Sequence, residues 1–411
     1  MIFRFCLYGF LKNQRYFAPF WILAFLEKDL TYAMIGLLIG FREISVAVLE
    51  IPTGAIADSV GRRGAMILSH VAYVVAFVMF GLASSVAILF VAMFAFAIGE
   101  AFRTGTHKAI IFAWLKSQGR EREKTHIYGI TRSWSQMGSA LSVVLAAALV
   151  FWLEEYTVIF WISAVPAALN ILNFLSYPKS LDFSGDKKPQ RENAMRMLWK
   201  ATLQCFTSPK LRRPITESMG FEGIYGASKD YLQPLIQSAA LALPLLVTWE
   251  ATQRTALLIA AIYAVLYLLG SFASRYAGPF SLRFENEQNA AMSLWLAYAA
   301  TFGILLLGTV TSWTGLAIFS FVVLAIMQNL WRPILISRVA DEANDDAMAT
   351  VLSVESQAKS IGIAIIAPVL GIAVDQMPPD YRFAPIALLG IAIAVGALVS
   401  NATRRRTVTT E

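Results

Sequence analysis

The chain has 411 residues, of which 57% are hydrophobic and only 15% charged, with a formal net charge of +7. A soluble domain is closer to half apolar and a quarter charged, so this surplus of apolar residues exceeds what a core needs and suits a surface that faces lipid. The basic excess would point to nucleic acid on a soluble protein, but here it lies in loops between apolar runs and reads as a topological signal, with no nucleic-acid partner expected.

Apolar runs recur along the whole chain without the period-2 alternation of a membrane barrel. Lipid requires each backbone amide to be satisfied within its own segment, so these runs predict helices. Six are expected at about 7–26, 32–57, 64–83, 86–107, 129–151 and 157–176. Six more follow at about 214–237, 252–275, 288–309, 312–336, 347–373 and 382–401. The first carries one early cation, Arg4, and ends on Glu27-Lys28-Asp29 with no small-residue cleavage site, so it is expected to be kept as a helix. Very short turns around Ser84-Ser85 and Thr311-Ser312 predict tight hairpins. After the fourth run, Ile110, Ile111, Trp114 and Leu115 alternate with Lys108, Lys116 and Gln118 at helical spacing, which could extend that helix.

Lys and Arg set the orientation. One set of loops carries Arg62, Arg63, Lys116, Arg120, Arg122, Lys124, Arg275, Arg283 and Arg338, whereas the opposite loops carry Lys28, Arg254 and Arg382. The positive-inside rule then places both termini in the cytoplasm and demands an even number of helices. The fold class expected is an all-α integral membrane protein of twelve helices in two six-helix bundles. The division is 1–176, a cytoplasmic linker 177–213, a second bundle 214–401 and a basic tail 402–411. Within the linker, Met197, Leu198, Ala201 and Cys205 share a helical face between Lys and Arg, which suits the surface of an anionic membrane. Cys6 and Cys205 both fall on the cytoplasmic side in this topology, so no structural disulfide is expected.

The loop after the second run reads Gly54-Ala-Ile-Ala-Asp58-Ser-Val-Gly61-Arg62-Arg63. Gly54 permits close helix approach. Asp58 sits at a helix C-terminus, where the dipole disfavours an anion and a compensating partner is needed. Gly61 permits a tight turn, and the two arginines suit a cytoplasmic interface. The pattern resembles the loop signature of the major facilitator superfamily. A degenerate second copy, Gly270-Ser-Phe-Ala-Ser274-Arg275-Tyr-Ala-Gly278, follows the eighth run, with Ser274 in place of the aspartate. Glu50-Ile-Pro-Thr-Gly54, Thr104-Gly105-Thr106, Gln233-Pro234-Leu235 and Ala349-Thr350-Val351-Leu352-Ser353 are similar to stretches of bacterial members. The resemblance implies a secondary transporter of the inner membrane, a monomer with a small-molecule substrate, working by alternating access and coupled to protons. It also implies that Asp58 meets the backbone near 348–350 and helps to lock one state.

Ionisable residues inside the runs are costly unless they face a partner or a cavity, and each is a functional candidate. Glu43, Glu100, Arg103, Glu222, Asp230, Arg332, Glu355 and Lys359 are the substrate or proton candidates. Arg15 and Glu50, both near the cytoplasmic face by a rise of about 1.5 Å per residue, are candidates for a structural ion pair. Arg42 and Glu43 are adjacent and point in different directions, so no pair between them is required. Multidrug efflux is the alternative within transport. Against it, 131–140 holds no proline where drug antiporters of the family carry a glycine- and proline-rich signature, and the first run holds no acid. A transporter-like receptor or scaffold is the alternative outside transport. No phosphate loop, nucleophile cluster or metal spacing of His70, His107 and His126 points to an enzyme, cofactor or metal.

Overall fold

The computed structural model describes residues 1–104, 106–120, 123–181, 203, 207–244, 247–342 and 348–408, and every regular element among them is helical. Helices α1 (Ile2–Lys12), α2 (Trp21–Leu26), α3 (Tyr32–Val60), α4 (Arg62–Leu82) and α5 (Val86–Arg103) come first. They are followed by α6 (Thr106–Ser117), α7 (Lys124–Leu153) and α8 (Val158–Leu175). The later set is α9 (Pro209–Ser228), α10 (Leu232–Ala242), α11 (Ala251–Ser281), α12 (Glu287–Val310), α13 (Thr314–Glu342), α14 (Met348–Asp375) and α15 (Ala384–Val408). The linker's amphipathic stretch, 193–206, lies outside the described residues apart from Leu203.

Ten helical stretches among the described residues are long and apolar enough to cross a membrane. The first and seventh expected spans are not in that set: each is interrupted, and α9, though 20 residues long, is too polar, with Lys210, Arg212, Arg213, Glu217 and Glu222 along it. The first breaks between Lys12 and Trp21, the seventh at a 3-10 turn, Lys229–Tyr231. A proline lies within the first break, Pro19, and just after the second, Pro234; proline has no N–H to give a helix and crowds the carbonyl four residues back. Proline alone does not suffice, since α3, α8, α13 and α14 run through Pro52, Pro166, Pro333 and Pro368. At the two breaks it coincides with polar residues, Lys12 to Arg15 and Ser228 to Asp230. Asn13 also turns its amide back onto the Gly9 carbonyl, 2.7 Å away, a local bond that competes with helix continuation.

The chain forms two compact units. The first contains Met1–Leu30, Phe41–Lys188 and Pro244–Ala264, and the second Thr31–Gly40, Pro189–Leu243 and Val265–Glu411. An aromatic core of Phe20, Phe25, Phe80 and Phe160, all fully buried, fills the first unit. The amphipathic stretch after α5 is a separate helix, α6, with Ile110, Ile111 and Leu115 buried against Phe5, Tyr8, Phe174 and Tyr177. Arg120 closes the loop beyond it by donating to both oxygens of Glu123 at 2.7 and 2.6 Å. That hydrogen bonding draws the Glu123 carboxyl below its ordinary range. In the second unit, Phe221 is sandwiched between Tyr298 and Trp331, with centroids 3.9 and 4.2 Å away and planes within 13° and 6°.

Carboxylates hold two helix starts, where backbone N–H groups lack partners and the dipole favours an anion. Glu27 accepts from Tyr156 and Thr157 at 3.0 and 2.8 Å, at the entry to α8. Asp375 accepts from Tyr32 and Ala33 at 3.0 and 2.7 Å, at the start of α3. Near that start, Gly36 lies against the Ala367 carbonyl so closely that a Cβ would overlap it, which brings α3 and α14 together at backbone distance within the second unit.

Gly61 joins α3 to α4 with φ of 89°, a conformation that a side chain resists. Gly61→Ala is therefore expected to cost about 1–3 kcal/mol and to lower the thermal midpoint in detergent. An unchanged midpoint would show that the turn relaxes without strain.

Candidate functional site

The structure gathers some of the candidate charges into a cluster in each unit, Glu100 and Arg103 in the first and Glu222, Arg332 and Glu355 in the second. In the second unit, α9 supplies Glu222, α13 supplies Arg332 and α14 supplies Glu355. Arg332 Nη1 donates to both oxygens of Glu222 at 3.0 Å and to Glu355 Oε1 at 2.7 Å. Ser218, one helical turn before Glu222, donates its hydroxyl to the same Glu355 oxygen at 2.5 Å. Glu222 and Glu355 are buried, at 3% and 0% exposure, whereas Arg332 is 37% exposed at its side chain. Glu355 Oε2 has no hydrogen-bond partner among the described residues. One guanidinium therefore serves two buried carboxylates, and one carboxylate oxygen is left bare. Lys359 follows Glu355 by one turn, half-buried, and adds its attraction on Glu222. Asp230 lies in the 3-10 turn that breaks the seventh span, apart from this triad.

In the first unit, Glu100 of α5 is bonded to Arg103 one turn on, and Arg15 lies 3.5 Å from its other oxygen. Arg103 also donates Nε to the Tyr73 hydroxyl at 3.0 Å. Arg15 was expected opposite Glu50, and the ion pair the structure gives it is with Glu100. Helical rise cannot place Arg15, because it sits beyond the end of α1. Glu50 lies half-buried on α3. Arg42 and Glu43, for which no pairing was required, are bonded at 2.6 Å, since the long arginine curls back along its own helix.

Within the loop signature, the surroundings of Gly54 and the side chains of Asp58 and of 348–350 lie outside the described residues. The arginines do more than face an interface. Arg62 donates to the Ala109 carbonyl at 3.3 Å, and Arg63 to the carbonyls of Phe174 and Leu175 at 2.9 and 3.0 Å. These last two acceptors lie at the C-terminus of α8, where the helix dipole favours a cation; the Phe174 carbonyl also accepts from the Tyr177 N–H at 3.0 Å. The signature thus ties α4 to α6 and α8.

Sequence reasoning did not single out four features. Ser218 carried no signal, as a hydroxyl among many. Arg338 was read as a loop cation, but α13 runs on to Glu342, and Arg338 is buried and bonded to Glu217 at 2.7 Å. Tyr73, one aromatic among many in apolar runs, carries no signal of its own. Ser163, Asn170 and Asn173 are buried polar residues on the otherwise apolar α8, and an amide in such a helix was the signal available.

A model of the Major Facilitator Superfamily matches residues 4–367. The chain belongs to this superfamily. It is 32% identical over 138 residues to the probable sulfoacetate transporter SauU of Cupriavidus necator, a match covering 32% of this chain and 31% of that one. It is 30% identical over 90 residues to the uncharacterized MFS-type transporter YxaM of Bacillus subtilis, covering 22% and 23%. The chain thus spans less than a third of the length of either relative. Its fold is similar to that of the nucleoside transporter NupG, with a TM-score of 0.76 at 13% identity over 97% of this chain and 96% of that one. It is also similar to a peptide transporter POT in complex with sulfate, with a TM-score of 0.73 at 14% identity over 98% and 94%. Membership of the superfamily and the ten apolar helices make this a multi-pass membrane protein of a transport family.

Proposed function

We propose that the chain is a secondary transporter that moves a small molecule by alternating access and couples the movement to protons through the Glu222–Arg332–Glu355 triad. The triad carries this reading. A fully buried carboxylate with one bare oxygen is expensive when ionised. A proton on Glu355 Oε2 would remove a buried charge that the shared guanidinium meets on one oxygen only, and its loss would restore that charge, which is the behaviour a coupling site needs. Lys359 and Ser218 would tune that exchange. The inner membrane, with both termini in the cytoplasm and twelve spans, follows from the Lys and Arg asymmetry, with the two broken helices as the first and seventh spans. Broken helices at corresponding positions of two halves suit a transporter whose substrate site lies near them. The likeness to SauU favours a small organic anion over a lipophilic drug. No nucleic acid, cofactor or metal enters the scheme, and a monomer with its surrounding lipid is sufficient for it.

The test is substrate-dependent pH change in proteoliposomes, using a panel of organic acids, sugars, amino acids and lipophilic cations. A compound-dependent change of internal pH supports coupled transport, and its sign separates symport from antiport. Silence across the panel with folded protein would rule out proton coupling for these compounds, leaving facilitated diffusion or another ion, and would raise the scaffold alternative. For the loop signature, we propose that Asp58 locks one state of the cycle. Asp58→Asn is then expected to lower turnover about tenfold, or about 1.4 kcal/mol in barrier, with substrate affinity retained. Wild-type turnover in that variant would remove the gating role.

A further inference from the structure

The first unit contains a cavity of about 40 Å³ lined by Lys12, Gln14, Arg15, Glu100, Arg103 and Asn170, among others. Its charges do not balance. Three cations, Lys12, Arg15 and Arg103, face one carboxylate, Glu100, and Glu100 is already engaged by Arg103 and Arg15. Lys12 forms no salt bridge among the described residues. The neutral lining groups are also unspent. Gln14 and Asn170, 5% and 1% exposed, have neither amide nitrogen nor amide oxygen hydrogen-bonded among the described residues, and the Ser163 hydroxyl is likewise without a partner. Buried polar atoms are normally satisfied, so this many around one cavity marks a place built for a ligand. The break in the first span creates it, because ending α1 at Lys12 turns Gln14 and Arg15 inward off the helix register.

We propose that this cavity binds the oxyanion group, carboxylate or sulfonate, of a small organic acid. An oxyanion supplies acceptors and no donors, which matches an unpaired ammonium, two guanidinium groups and the N–H and O–H donors of Gln14, Asn170 and Ser163, while the amide oxygens of Gln14 and Asn170 are left to water. Water could satisfy the amides but would leave the two surplus positive charges uncompensated. The ring walls of Phe17, Phe77 and Phe96 suit a short apolar tail. The inference rests on the transport reading only in taking the bound anion as cargo. The binding itself stands separately.

Equilibrium binding and thermal-shift measurements on the full chain in neutral detergent test it. The probes are short alkanoates and alkanesulfonates, with alkylamides and alkylammonium ions of equal length as controls and phosphatidylglycerol as the lipid alternative. The anions are expected to raise the thermal midpoint where the amides and ammonium ions do not. Lys12→Gln is expected to weaken anion binding about tenfold or more, and Lys12→Arg to retain most of it. Equal binding of amides or ammonium ions, wild-type affinity in Lys12→Gln, or a response to the anionic lipid alone would overturn the proposal. Anion binding without flux in proteoliposomes would support the site and count against the transport reading, whereas flux of uncharged compounds with no anion binding would overturn the site and leave transport standing.

Discussion

Glu355→Gln is expected to leave substrate exchange running while abolishing accumulation driven by a pH gradient. Glutamine has the shape of a protonated glutamate and cannot lose the proton, so the triad is held in one charge state. Its amide oxygen can still accept from Arg332, as Glu355 Oε1 does at 2.7 Å, and from Ser218. Arg332 keeps both contacts to Glu222. The variant should therefore fold and carry substrate in counterflow at a rate close to wild type. Accumulation against a gradient should fall about tenfold or more, the equivalent of at least 1.4 kcal/mol of lost coupling. Glu222→Gln separates the roles within the triad. Glu222 has both oxygens engaged, so its loss is expected to loosen Arg332 and to slow exchange as well as coupling. Retained pH-driven accumulation in Glu355→Gln would move the proton site elsewhere.

Arg338→Met is expected to destabilise the second unit by about 3 kcal/mol, at the low end of what breaking a buried ion pair costs. The pair lies at 8% and 6% side-chain exposure, and removal of the guanidinium strands Glu217 Oε2 and the Gln288 side-chain oxygen at once. The cost stays at the low end because Glu217 Oε1 keeps Arg213 at 3.1 Å and Asn401 at 3.3 Å. Arg338→Lys preserves the charge without the two-pronged fork and should lose less than half as much. The thermal midpoint in detergent, compared at equal lipid content, is the readout. Equal midpoints for Arg338→Met and wild type would show that water reaches Glu217 in the variant.

Most of the helices were legible because lipid imposes a simple rule: a long apolar run must be a helix. The rule says nothing about where a run breaks. Lys12 to Arg15 and Ser228 to Asp230 looked like polar interruptions inside continuous spans, and only their coincidence with Pro19 and Pro234 hinted at interruption. The cluster in the second unit was partly visible, since Glu222, Arg332 and Glu355 each stood out as charges in apolar runs. Their pairing is a matter of three helices converging, which no spacing within one helix encodes. Arg15 shows the same limit from the other side, because counting by helical rise fails once the helix has ended. Gly61 was legible from its neighbours, since a glycine between two apolar runs and ahead of two arginines has few uses except a turn. The hydrogen bonds of Arg62 and Arg63 to carbonyls of α6 and α8 depend on tertiary packing and left no mark in the local sequence.

The coupling claim is tested most directly by counting protons when substrate binds to purified protein in weakly buffered detergent with a pH-indicator dye, first with wild type and then with Glu355→Gln. The triad predicts that wild type takes up or releases about one proton per substrate bound and that Glu355→Gln exchanges none at comparable substrate occupancy. The same proton count in both proteins would contradict it.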